Sequence, residues 1–595
     1  MSIYAQHGQT ELINEIDTYL VESKIPGAMV SIVRADSSIF VGGFGYADID
    51  DQEFVDENHL FRQGSISKSF TAMGLLHLLK NTPFDLSSPI RDIDPKIPYS
   101  NPWSETYPVR VSHLLEHTSG FEDFHLHAMY CHGESQRPPI VEMLEDHQQS
   151  LHARWPPGTR KAYANPNYIV AGHLIEVLSG MPFDTYIQQY LLAEIGMESS
   201  GYYFTPPEEL SFASGYQRIG SDFTGIPFAT INGSPAGDFC ANAKDMAKYL
   251  QFMLRRDHSM FSQSEFNRLE TPETSIAARH GLAYGYGLGN YSIWKNGHLF
   301  HGHGGQIDGF AARYLYSREA DLGVAIAINR NGNENAVIDK ILDLIIQELH
   351  YDPSQRLVLP IPDSLKVAFG GFYEFTSPKS ELIAFTDRML AGISLDFQAD
   401  KIVTRTLLGK AKDSLWYAGN NQFYLNNEGE PSAMLLRSDS GNPVLWIKDS
   451  YTERKSRTKR IAIFFGLLFS FFTVFAFFVY SIFWLVKSIF ISSSKDRSNH
   501  LVLFGFGIAF ILTLLGFGLS VSNPHIAQRV NFSSLMMYAS SYACVILAIA
   551  SLSRWNKLEG KQRFKLFYAL SSIGALMISL YLWQIGMIGL KLWNY

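Results

Sequence analysis

Cysteine is what this sequence lacks most: there are three in 595 residues, Cys131, Cys240 and Cys544. So few exclude a fold stapled by disulfides, and none stands at a fixed zinc-ligand spacing. A basic, aromatic-studded face is missing too, which excludes nucleic acid as a partner. Internal repeats and low-complexity stretches are absent outside the apolar runs. Met1 to Leu20 holds Gln, Glu, Asn and Asp and no apolar h-region, so it does not read as a signal peptide.

Long hydrophobic runs are abundant, but only at one end. Ile461–Val486, Leu501–Val521, Leu535–Leu552 and Leu566–Leu590 each reach the ~20 residues needed to span a bilayer. Charge divides at the same place. From Tyr451 onward 15 Lys and Arg face Glu453, Asp496 and Glu559, leaving 34 cations and 54 anions before it. An acidic soluble part is thus joined to a basic membrane part. The loops after the first span (Lys487, Lys495, Arg497) and the third (Arg554, Lys557, Lys561, Arg563, Lys565) are basic, whereas that after the second holds Arg529. This alternation places both basic loops in the cytoplasm and the soluble part outside the cell membrane. The cluster Arg454–Arg460 before the first span is then expected to meet anionic headgroups on the outer face.

A chain this long is divided into domains. Residues 1–350 mix helix and strand signals: an amphipathic helix over Leu12–Leu20, a hairpin from Ala28–Val33 and Ile39–Tyr46, and helices over Ser67–Leu79 and Pro166–Leu178. Residues 351–362 carry Pro353, Pro360 and Pro362 and read as a linker. Residues 363–450 show short strand-like runs such as Phe372–Phe375 and Phe423–Leu425, the pattern of a small all-β domain. A basic juxtamembrane segment, 451–460, leads to about four transmembrane helices in 461–595.

Three constellations carry chemistry. Ser65-Ile66-Ser67-Lys68 opens a helix, and the three-residue spacing puts both side chains on one face. There a neutral Lys68 amine can take the Ser65 proton, and the helix N-terminus favours developing negative charge. Tyr163-Ala164-Asn165 precedes the next helix. A tyrosine facing Ser65 and Lys68 can shuttle that proton, with its phenol expected to be lowered by ammonium neighbours. Asn165 is placed to hold Lys68 and a substrate amide. The third is His303-Gly304-Gly305 within Gly302–Phe310, where glycines beside a strand let a substrate backbone approach closely. His125, His127, Cys131 and His132 crowd one loop-like stretch, but match no metal spacing.

Together these motifs resemble the penicillin-binding-protein and serine β-lactamase superfamily, in the Tyr-x-Asn form of class C enzymes and their esterase and peptidase relatives. Leu114–Gly120, Pro157–Thr159, Pro235–Gly237 and Asp245–Leu250 strengthen the likeness, which runs from about Glu11 to Leu349. The resemblance implies an α+β fold: an antiparallel sheet flanked by helices, an all-α subdomain, and a site between them. It implies Ser65 as the acylated nucleophile, Lys68 and Tyr163 as the proton-handling pair, and Asn165, His303, Gly304 and Gly305 on the substrate. The backbone N–H groups of Ser65 and Gln306 are the implied oxyanion hole. No cofactor and no metal is expected.

One departure matters. Histidine at 303 stands where typical β-lactamases have the lysine that meets a substrate carboxylate, which favours peptidase or esterase work. The expected function is a membrane-anchored serine hydrolase cleaving an amide or ester, such as a D-amino-acid-containing peptide. The layout is loosely similar to membrane peptidases that remove an acylated D-amino-acid cap from nonribosomal peptide precursors. The alternatives are a carboxylesterase or weak β-lactamase, and a non-catalytic sensor of peptidoglycan fragments or β-lactams. The expected partners are a small-molecule or peptide substrate and the membrane; the sequence fixes no oligomeric state.

Overall fold

The computed structural model describes residues 6–125, 129–131, 137–331, 334–347, 349, 356–382, 384–385, 392–490, 497–521, 530–555, 558 and 561–594. Its first domain is built on a seven-stranded antiparallel sheet. The order across it is Glu53–Phe54, Ser38–Asp48, Gly27–Val33, Leu322–Ile328, Phe310–Ser317, His298–Ile307 and Tyr291–Lys295. The expected hairpin is there, with Ala28 opposite Phe44. Its first strand also pairs with Leu322–Ile328, Ala28 facing Ile328. Both strands are buried throughout, because helices cover both faces of the sheet. The helices Gln6–Glu22 and Glu334–Ile346 cover one face through Leu12, Ile16, Ile338 and Ile341. On the other, Ala243–Arg255 presents Met246, Leu250 and Met253 to the larger core.

The all-α subdomain packs beside this sheet. Its central helix, Ser67–Leu79, is buried at every position but His77, so it has no polar face. The helix Pro166–Ser179 crosses it, opening on a proline at its first turn and closing on Gly180 in the left-handed region, where glycine carries no Cβ penalty. Gly74 lies against Ile187 and Gly172 against Pro235, close approaches that a side chain at either position would block.

The all-β domain is a closed eight-stranded barrel running from Phe372–Phe375 to Ser450–Lys455. Closure is made by pairing its first and last strands, Glu374 opposite Glu453, which removes both sheet edges. Two boundaries differ from the sequence reading. Residues 450–455 are the closing strand, so half of the segment assigned to the juxtamembrane region belongs to the barrel. The described part of the proposed linker lies along the barrel as well, with Leu359 N–H donating to Tyr417 O and Ile361 N–H to Ala399 O. One helix, Asp363–Phe369, adds Leu365 and Phe369 to the barrel core.

The barrel docks on the first domain. Met434, Leu436, Val444, Trp446 and Tyr451 form one buried cluster with Ile276, Ala277 and Leu282. Ion pairs surround the contact: Arg160 with Glu453 at 2.8 Å and Lys161 with Asp449 at 2.9 Å.

Among the described residues, four helices are long and apolar enough to cross a membrane by length and composition: Arg457–Lys487, Asn499–Val521, Phe532–Ser553 and Gln562–Gln584. The last ends six residues before the sequence boundary, because the chain turns through Gly586 and Gly589, both at positive φ. The Arg454–Arg460 cluster is spent largely on protein. Arg454 donates to Ala368 O and Gly370 O, Arg457 to Leu407 O, and Arg460 pairs with Glu374. These contacts fix the first span to the barrel rather than leaving the guanidinium groups to headgroups.

Candidate active site

Ser65 lies on the turn between strand Phe61–Gly64 and helix Ser67–Leu79. The turn is tightly specified. Ser67 Oγ donates to Gly64 O at 2.7 Å and accepts from Phe239 N–H at 2.9 Å. Gly64 sits at φ +52°, and a Cβ there would press on the backbone of Gln306. A Cβ on Gly305 would overlap the Gln63 carbonyl oxygen and crowd Ser65 N. These glycines bring the edge of strand His298–Ile307 against the serine turn. The third motif thereby places the backbone N–H of Gln306 near that of Ser65.

Lys68 is fully buried, yet among the described residues no carboxylate faces it. Its Nζ lies 3.0 Å from Ser65 Oγ and donates to Ala236 O at 2.6 Å. The rings of Tyr163 and Tyr168 stand 5.0 and 5.7 Å away. Burial, with the charge of Lys379 added, pushes the amine well below the ordinary lysine range. A neutral amine beside a serine hydroxyl can accept its proton. The Pro235–Gly237 stretch gains a role here: Ala236 O fixes Lys68, and Pro235 O accepts from Thr71 at 2.7 Å.

Tyr163 is within hydrogen-bonding reach of Ser65. Its phenol is not lowered as expected from the sequence. Burial raises it, and the hydrogen bond from Ser65 only partly offsets that. Tyr163 therefore stands as a neutral hydroxyl. The His117 ring packs on it at 4.2 Å, with Nδ1 accepting from Ala164 N–H at 3.2 Å. His117 is thus a brace for the tyrosine.

Asn165 does not hold Lys68, as the sequence reading had it. Its backbone N–H and its Nδ2 both donate to Asp123 Oδ1, at 2.8 and 2.7 Å. His303 also differs from expectation. Burial lowers its imidazole to about 3, so it is no cation. Its Nδ1–H donates to Gly304 O at 2.5 Å, and Nε2 accepts from the Tyr286 hydroxyl at 2.9 Å. Of the histidine-rich loop, His127 and His132 lie outside the described residues, and His125 lies 3.5 Å from Glu122.

These groups line one cleft of about 830 Å³ that holds Ser65, Tyr163, Asn165, His303, Gly304, Gly305 and Gln306. Lys68 lies beneath it. The cleft's other polar residues, among them Tyr130, Lys161, Asp308, Lys379 and Asp449, lie outside the three sequence motifs. Lys161, two positions before Tyr163, was open to notice. Lys379 and Asp449 were not, since they come from the barrel.

The family model described as Beta-lactamase matches residues 12–348. The putative penicillin-binding protein PbpX of Bacillus subtilis (strain 168) is 27% identical over 342 residues, covering 56% of this chain and 78% of that protein. Protein flp of Staphylococcus aureus (strain N315) is 23% identical over 332 residues, 54% of this chain and 63% of its own length, so less than two thirds of it is spanned. Among solved structures, the octameric penicillin-binding protein homologue from Pyrococcus abyssi aligns with a TM-score of 0.49 at 22% identity. That alignment covers 75% of this chain and 99% of the other. The family match takes in more than half of the chain and the motif residues of the cleft up to Gln306; the protein belongs to the Beta-lactamase family and is a serine hydrolase.

Proposed function

We propose that the protein is a membrane-anchored hydrolase that forms an acyl-enzyme at Ser65 from an amide or ester and then hydrolyses it. One observation carries the reading: a buried Lys68 amine lies 3.0 Å from Ser65 Oγ with carbonyl and aromatic neighbours and, among the described residues, no carboxylate. In the first step Ser65 Oγ attacks the substrate carbonyl carbon and its proton passes to Lys68. The tetrahedral oxyanion is held by the N–H groups of Ser65 and Gln306. Lys68 and Tyr163 then deliver the proton to the departing amine or alcohol. Water attacks the ester in the second step, with the proton route reversed to release the acid and restore Ser65. Asn165, His303, Gly304 and Gly305 form the wall that orients the substrate.

A D-amino-acid-containing peptide is the substrate class that the family resemblance implies. The neutral His303 supports peptidase or esterase work over β-lactam hydrolysis, because it offers no charge to an antibiotic carboxylate. The four apolar helices support anchoring in the cell membrane, and the basic loops between them support an extracytoplasmic catalytic domain.

The test is intact-mass measurement of the detergent-purified protein after a fluorophosphonate and, separately, a penicillin, beside Ser65→Ala. An adduct that needs Ser65 supports the hydrolase. Absence of any adduct at Ser65 would defeat it and favour a binding domain that signals without turnover.

A further inference from the structure

Lys379 reaches the cleft from the barrel, on the segment that follows strand Phe372–Phe375. Its ammonium meets Asp123 Oδ2 at 2.6 Å, and its backbone carbonyl accepts from Asp123 N–H at 3.1 Å. Asp123 uses its other oxygen for both N–H donors of Asn165. One carboxylate thus ties a barrel lysine to a motif asparagine. The same ammonium stands 5.2 Å from the Tyr163 ring, and the Lys68 amine stands 5.0 Å from that ring.

The segment is anchored just after this contact. Glu381 N–H donates to Glu122 at 2.6 Å, and Arg154 lies 3.6 Å from Glu381. Leu382 is buried in the core of the spanning helices, and Phe385 packs 6.4 Å from Phe517. Lys379 is therefore held between the membrane helices and the cleft.

We propose that Lys379 is a positioning residue for the Ser65 chemistry, carried into the site by the barrel: through Asp123 it fixes Asn165, and beside Tyr163 it sets the electrostatic field around Lys68. The inference rests on the acyl-enzyme reading above. It also gives the cleft a cation near Tyr163 that neutral His303 does not supply.

Among the described residues, the groups around Lys68 are few. Ser65 comes from its own turn, Ala236 O from residues 234–237, Tyr163 and Tyr168 from around Asn165, His117 from the loop after Leu115, and His303 from the sheet. Both histidines are neutral at ordinary pH, because burial lowers them. Among the described residues, the charged groups of the cleft are Lys161 with Asp449, Asp308, and Lys379 with Asp123. Removing the Lys379 charge ends a repulsion and bares the Asp123 anion, and both changes favour protonated Lys68. Removing the Asp123 charge does the reverse.

The experiment measures the rate of fluorophosphonate labelling at Ser65 against pH, on the full chain in detergent. In Lys379→Met the acid limb is expected to move up by about half a pH unit or more, and in Asp123→Asn to move down. The double variant should lie near the wild type, and Lys379→Arg should keep the wild-type limb. Gel filtration identifies the folded variants, and Asp123→Asn with Lys379→Arg still decides the matter should Lys379→Met misfold. Slower labelling with unmoved limbs, or limbs moved the same way, would overturn the inference and leave a plain interdomain clasp. No labelling of the wild type would instead remove the Ser65 reading on which it stands.

Discussion

Lys68 Nζ and Ala236 O are 2.6 Å apart, and that contact gives the buried amine its anchor. A carbonyl holds an amine without stabilising its charge as a carboxylate would. Because burial has already lowered Lys68, the geometry keeps the group on the basic side.

Loss of the Lys68 amine should therefore be decisive. Lys68→Ala is expected to slow Ser65 labelling by roughly 10²–10⁴-fold. Lys68→Arg should be as poor, since a guanidinium does not give up its proton. Tyr163→Phe should also slow labelling by orders of magnitude, while Ser65→Ala gives no adduct. Stopped-flow or mass-resolved labelling reads all four.

Stability should depend on acidity through the buried histidines. Burial lowers His303 to about 3 and His117 well below the ordinary value, whereas both titrate near 6.5 in the unfolded chain. Between roughly pH 6.5 and 3 the unfolded chain binds more protons, so stability falls as pH falls through that window. Melting followed by circular dichroism should show the decline, and His303→Gln should make it shallower.

The two motif glycines should separate. Gly305→Ala forces a Cβ into the Gln63 carbonyl and is expected to cost about 2 kcal/mol or more, lowering both the melting temperature and labelling. At Gly304 the nearest atom to a Cβ is the Tyr291 hydroxyl at 3.3 Å. Gly304→Ala should melt near the wild type and act only on the cleft. Equal melting losses in the two variants would contradict this packing.

Barrel docking should depend on Trp446, which is 3% exposed and packed with the Ile276–Leu282 surface. Trp446→Ala is expected to weaken the folded, docked state by about 3 kcal/mol. Hydrogen exchange over strands Pro431–Arg437 and Pro443–Ile447 should accelerate in the variant. Unchanged exchange would place the docking energy elsewhere.

Orientation is open to a direct check. Ser440 is exposed on the barrel, so a cysteine placed there should react with a membrane-impermeant thiol reagent on intact cells. Protection until the cells are opened would put the catalytic part inside.

The amino-acid sequence by itself determined the elements whose signals are local. Ser67–Leu79 was legible as a helix although it is buried nearly all round, and two runs bracketing the turn at Arg34–Ser38 marked the hairpin at Ala28. Apolar length marked four spans, to within six residues at the last. Ser65, Lys68, Tyr163 and the 303–305 stretch were legible for a related reason, since motif spacing on a known type of turn brings side chains together. Electrostatic state was not legible. The neutrality of His303, the raised phenol of Tyr163 and the tie of Asn165 to Asp123 depend on burial and on partners far along the chain. Barrel closure was equally hidden, because Phe372–Phe375 and Ser450–Lys455 pair across the whole domain and no local pattern records a register of that length. Lys379 is the extreme case. An unremarkable lysine in an all-β segment becomes part of the site only when the barrel docks and sets its ammonium between Asp123 and Tyr163.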